Sequence, residues 1–113
     1  MPKIQEYKLG AFIIDGKQFL GSIKIIEDKV RYWEKDAQTL ELKDIDELLK
    51  SQPEFLVIGT GAGGLLKVPE NIKQSVTSKG ISLIIGKTQE VIKQFNELKT
   101  GNKKVAGIFN SGS

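Results

Sequence analysis

The residues with the clearest chemical promise are Gly59-Thr60-Gly61-Ala62-Gly63-Gly64. They match G-x-G-x-x-G directly after the apolar run Phe55-Leu56-Val57-Ile58. Glycines at this spacing let a ligand approach the backbone, and successive N–H groups can face a phosphate. Two features depart from a dinucleotide site. The helix should open within the motif, yet Leu65-Leu66-Lys67-Val68 intervene before Pro69. An acid should close the next strand to hold a ribose, but that strand ends in Gly86-Lys87 and the nearest carboxylate is Glu90. NAD and FAD are therefore not expected, and no cofactor is assigned. Two readings of the loop stay open: a structural turn, or a contact for an anion or small ligand.

Other chemistry is sparse. The chain has no cysteine and no histidine, which excludes disulfides, cysteine- or histidine-ligated metals and imidazole acid–base catalysis. Carboxylates gather at Asp36, Glu41, Asp44, Asp46 and Glu47. Asp44 and Glu47 can share a helix face, and paired acids can move protons or bind Mg²⁺. Acids at an early helix turn more often serve the dipole and solubility. Tyr32 and Trp33 are adjacent, so in a strand they point to opposite faces. One should be core, the other an interaction surface or shielded by a neighbouring loop.

Charge is uneven. Residues 1–54 hold nine basic and eleven acidic side chains, and residues 55–113 hold eight lysines and three glutamates. A basic half can bind nucleic acid. Arg31 is the one arginine among 17 basic residues, and arginine is the usual reader of phosphates and guanine edges. Nucleic acid is therefore not the expected partner, and the lysines read as a solvated surface. No apolar run approaches the roughly 20 residues of a membrane-spanning helix, and Met1-Pro2-Lys3-Ile4-Gln5-Glu6 has no signal-peptide core. A cytoplasmic location without membrane contact is expected.

The elements that would position these residues form one domain over residues 1–113. Ala11–Ile14 and Lys17–Leu20 flank Asp15-Gly16, a two-residue hairpin turn. Ile23–Ile26 and Lys29–Trp33 flank Glu27-Asp28 as a second hairpin. Lys43–Lys50 spaces Ile45, Leu48 and Leu49 as a helix, stopped by Pro53. The second half reads strand–helix–strand–helix–strand: Phe55–Ile58, a helix from Pro69 to Gly80, Ile81–Ile85, a helix N-capped by Thr88 and closed by a left-handed Gly101, then Lys104–Phe109. The Gly/Ser-rich end Asn110–Ser113 is expected to fray. Right-handed crossovers make the three strands parallel. Their carboxyl ends then share one edge, where open α/β sheets bind ligands. The candidate binding residues are Gly59, Thr60, Gly61, Gly63, Gly64, Lys67, Lys87, Thr88 and Asn110. No catalytic or metal-binding residue is assigned.

Taken together, Tyr7 to Val30 with its Asp-Gly turn, Trp33, Leu56-Val57-Ile58-Gly59-Thr60-Gly61, Gly64, Lys67-Val68-Pro69, Gly80-Ile81, Thr88, Phe95-Asn96, Leu98, Gly101 and Val105-Ala106-Gly107 resemble the family of the adipogenesis-associated, Mth938-like domain-containing protein. The resemblance runs nearly end to end. It implies a three-layer α/β domain with no established enzymatic activity. One mitochondrial member is similar to a respiratory complex I assembly factor, and an animal member is linked to fat-cell differentiation. Many members carry histidine where this chain has Gln38 and Asn110. Amides hydrogen-bond but do not exchange protons near neutral pH. The expectation is a non-catalytic interaction or assembly module, with an unknown protein partner, an exposed apolar patch on the N-terminal hairpins and a homodimer as one form open to it. The alternative is a small-molecule or anion-binding protein, or an enzyme, that uses the glycine loop 59–64 at the carboxyl edge of the parallel strands.

Overall fold

The computed structural model describes residues 3–34 and 38–113; Asp36, one of the candidate carboxylates, lies outside them. Five strands build the principal sheet: β4 (Ile23–Ile26), β5 (Lys29–Tyr32), β6 (Phe55–Gly59), β7 (Ser82–Gly86) and β8 (Val105–Phe109), in the order β5-β4-β8-β6-β7. β6 runs parallel to β7 and β8, whereas β4 is antiparallel to both β8 and β5. The expected parallel unit is present, and the second hairpin extends it.

The first hairpin, β2 (Ala11–Ile14) and β3 (Lys17–Leu20), goes elsewhere. It joins β1 (Ile4–Lys8) in a separate three-stranded antiparallel sheet. Sequence reading does not reach β1, because only Ile4 within it is buried. At the Asp15-Gly16 turn both residues take positive φ, the geometry that matches hairpin twist. Glu27 and Asp28 do the same in the second turn.

Alternation along buried strands divides the core in two. Leu56, Ile58, Ala106 and Ile108 face α1 (Leu42–Lys50) and α2 (Glu70–Thr77) through Ile45, Leu48, Ile72 and Val76. Val57, Val105 and Phe109 face the other way, toward Phe95 of α3 (Thr88–Thr100) and Phe12 and Ile14 of the small sheet. The layers are thus α1 with α2, the five-stranded sheet, and α3 beside the three-stranded sheet. Burying Phe12, Phe95 and Phe109 completely contributes roughly 1.5–3 kcal/mol each.

Two helix-end assignments need correction. Thr88 is the first helical residue of α3 and Lys87 holds the N-cap position. Gly101 has φ −80, and Asn102, with φ 60, is the left-handed residue after the helix. Asparagine tolerates that region well enough to replace glycine there. Trp33 is the core member of its pair. Tyr32 is half-exposed; its ring packs 5.7 Å from that of Phe19, and its hydroxyl accepts from Leu20 N–H.

Candidate functional site

Thr60, Lys87 and Asn110 follow the carboxyl ends of β6, β7 and β8 and meet at one edge, as parallel pairing requires. The hub is the Thr88 side chain, completely buried. Its Oγ1 accepts from Gly61 N–H at 2.9 Å and donates to Asn110 C=O at 2.8 Å. Thr60 is also turned inward, since both its N–H and its hydroxyl donate to Gly86 C=O. These threonines tie three strand ends together rather than face a ligand.

The fourth participant is the end of the chain itself. Asn110–Ser113 does not fray. Ala62 N–H donates to Gly112 C=O at 2.7 Å, Leu65 N–H to Ser113 C=O at 3.1 Å, and Gly10 N–H to Ser111 C=O at 2.7 Å. Tyr7 hydroxyl donates to Ser111 C=O at 2.9 Å. Asn110 Oδ1 accepts from Gly112 N–H and turns the tail, while Ser111 N–H donates to Ser22 Oγ. Burial pushes the Tyr7 hydroxyl above its ordinary 10.0, against a smaller opposing pull from the Ala62 backbone, so it stays a donor at neutral pH.

Close packing explains two of the glycines. Gly61 has φ +100, and a Cβ there would lie 2.6 Å from the Ser113 carbonyl carbon. A Cβ on Gly59 would lie 2.8 Å from Thr88 Oγ1 and 3.0 Å from the Phe109 ring. Close backbone approach, the property that suggests a phosphate cradle, is used by the chain's own tail. Further donors of the loop are occupied: Gly64 N–H meets Gly61 C=O and Leu66 N–H meets Thr60 C=O.

The remaining candidates sit on the rim. Gly63 and Gly64 are exposed, and the Lys87 stem passes beside Gly64. Lys67 and Lys87 point to solvent and form no ion pair with a described residue. Gln38 is exposed, and its backbone C=O receives Lys67 N–H. No hydrogen bond joins its side chain to Asn110. Asp44 is buried and accepts from Glu41 N–H as part of a capping box, and Glu47 lies between Lys24 and Arg31 at 3.3 and 3.4 Å. Among the described residues no acidic cluster fit to hold a metal ion is present.

Open volume is found at the opposite edge. A cleft of about 680 Å³ runs where β6 and β7 begin, over Leu49, Pro53 and Ile81, with Lys50, Asp46 and Lys79 on its sides. Lys50 is paired with Asp46 at 2.9 Å. A neighbouring hollow of about 250 Å³ reaches Asp28 and Lys99. Lys99 is buried and bonded to Asp28 at 2.8 Å, and that hydrogen bond holds the Asp28 carboxyl below its ordinary 3.8.

The sequence reading places Ser111 beside Asn110 at this edge but gives it no role, and it assigns none to Tyr7, Gly10 or Ser22. An aromatic, a turn glycine and two serines do not reveal pairing across about a hundred residues.

Residues 4–110 match a family described as a protein of unknown function (DUF498/DUF598). The chain belongs to that family. Within reach of this DUF498/DUF598 chain is the 13 kDa major membrane protein of Francisella tularensis subsp. holarctica (strain LVS), 29% identical over 112 residues, which span 93% of this chain and 87% of that protein. The crystal structure of an outer membrane protein from Bartonella henselae superposes with a TM-score of 0.87 at 27% identity, over 99% of this chain and 96% of that one. The structure named MT938 superposes with a TM-score of 0.85 at 20% identity, over 100% of both chains. The fold of this family member is Mth938-like. No helix among its described residues is long and apolar enough to cross a membrane.

Proposed function

We propose that this chain is a non-catalytic protein-interaction or assembly module. The observation that carries the reading is a set of leucines around the tail. Leu9, Leu20 and Leu65 are 67%, 68% and 68% exposed. Their neighbours or own backbones are bonded into one network: Gly10 to Ser111, Gly21 to Gly10, and Leu65 to Ser113. Three protruding apolar side chains on rigid backbone at one end suit the core of a protein contact, where apolar residues are enriched and charge is depleted. Two of them lie on the N-terminal hairpins.

The resemblance to the family of the adipogenesis-associated protein and of the mitochondrial assembly factor agrees with such a role and belongs to this proposal. The alternative, an anion site at the glycine loop, has less to rest on, because Gly61 N–H already meets the Thr88 hydroxyl and Thr60, Ala62 and Gly64 N–H meet the chain's own carbonyls. A cytoplasmic location is part of the reading. The membrane names of the Francisella and Bartonella relatives make the membrane fraction the competing location, which cell fractionation separates.

The test is affinity capture from cells with the natural chain and with Leu9→Glu/Leu20→Glu/Leu65→Glu, both first shown to unfold cooperatively. A stoichiometric partner held by the natural chain and lost by the variant supports the reading. Identical retention by both chains, or none by either, contradicts it.

A further inference from the structure

The cleft where β6 and β7 begin holds about 680 Å³, within the roughly 300–1,000 Å³ of small-molecule sites. Its floor is Leu49, Pro53 and Ile81, all buried. Its walls are the turns that end α1 and α2. Carbonyl dipoles at helix ends favour a cation, but here the last carbonyls are largely taken. Ser51 Oγ donates to Leu48 C=O at 2.6 Å, and Gln52 N–H donates to Leu49 C=O at 3.0 Å. On the other wall Ser78, Lys79 and Gly80 N–H donate to Gln74, Val76 and Thr77 C=O.

The side chains therefore set the charge of the cleft. Asp46 is paired with Lys50 at 2.9 Å. Lys79 is exposed and forms no ion pair with a described residue. Among the described residues lining the cleft, it is the cation left without an acid.

Gln52 supplies an independent observation. It follows the C-cap Ser51 with φ 52, the left-handed position where glycine is usual. The turn after α2 does use glycine at its positive-φ position, Gly80. Glutamine there bears a steric strain that glycine would relieve, and it lines the cleft. Backbone strain kept at a cleft wall points to a use for the side chain. An amide at this place can donate to an anion.

We propose that this cleft binds a small organic carboxylate. Its apolar body lies over Leu49, Pro53 and Ile81, and the Lys79 ammonium and the Gln52 amide hold its charged end. One unpaired cation balances one negative charge, which selects a carboxylate over a phosphate dianion. The cleft lies at the edge opposite the leucines, so the inference stands whether or not the proposed interaction role does.

The test is a titration of the full chain with naphthalene-2-carboxylate, followed by the amide resonances of Gln52, Lys79 and Ile81. These should shift together and saturate by millimolar ligand. Neutral 2-naphthol has the same apolar body without the charge, and it should bind about fivefold more weakly. Lys79→Ala, in an exposed turn, should weaken carboxylate binding by a similar factor and leave the denaturation midpoint unchanged. Gln52→Gly should also weaken binding, yet raise the midpoint, because glycine relieves the left-handed strain. A glutamine with only a structural role would not give those opposite signs. Three amides without a saturable shift overturn the proposal, as does equal affinity for naphthol and carboxylate. Unaltered binding by Lys79→Ala overturns it as well. Inorganic phosphate bound more tightly than the carboxylate at the same three amides overturns the assigned ligand class.

Discussion

The two ends of the parallel strands differ in what fills them. At the carboxyl ends, Thr88, Thr60, the glycine loop and the tail lock backbone to backbone with little space left. At the amino ends the elements splay apart around clefts of about 680 and 250 Å³. General rules for open α/β sheets place ligands at the carboxyl end. Here that end is closed by the chain itself, so a glycine motif signals close approach without saying what approaches.

The contrast can be strained most severely at Gly61. Gly61→Val should cost about 3–5 kcal/mol, from left-handed backbone strain plus overlap with the tail, read as a shift in the denaturation midpoint. Gly80, which also has positive φ but no atom within 4 Å of a Cβ, isolates the backbone share: Gly80→Ala should cost about 1–2 kcal/mol. Equal losses at both positions would show that the tail does not sit against Gly61.

Next comes Thr88→Val, which keeps the shape and removes the hydroxyl. Gly61 N–H and Asn110 C=O lose their partner, which should cost about 2–4 kcal/mol in the same assay.

At the open end the effects shrink. Asp28→Asn should cost about 1 kcal/mol near neutral pH, since its carboxylate is half-exposed and screened although Lys99 is buried. The sign with pH follows from the depressed Asp28 value. The pair stabilises the fold above the ordinary 3.8, and the contribution is lost as pH falls through the lower folded value. Acid unfolding of Asp28→Asn should lack that component. Smallest of all, Lys79→Ala on the cleft wall should stay within about 0.5 kcal/mol of the natural chain.

Much of the fold is legible in the residues because its signals are local. Continuous apolar runs mark β6 and β8, Asp15-Gly16 and Glu27-Asp28 mark the hairpin turns, and Ile45, Leu48 and Leu49 mark α1. β1 is illegible, since it buries a single end residue and owes its place to β2 and to Asn96, whose amide bonds Ile4 in both directions. The carboxyl-end edge is half legible. Topology brings Thr60, Lys87, Thr88 and Asn110 together, but Thr88 serves neighbouring loops rather than its own helix. The Gly/Ser end carries every compositional mark of fraying, yet its ties come from Tyr7, Gly10 and Ala62, which no local pattern connects to it.

The most direct test of this closed edge is a titration of the protein with inorganic phosphate and then ATP, followed by the amide resonances of Gly61, Ala62 and Leu65. Donors already held by Thr88 Oγ1, Gly112 C=O and Ser113 C=O should show no saturable shift up to millimolar ligand. A saturable shift confined to these three amides would mean that the loop takes an anion in place of the tail, and would contradict the account.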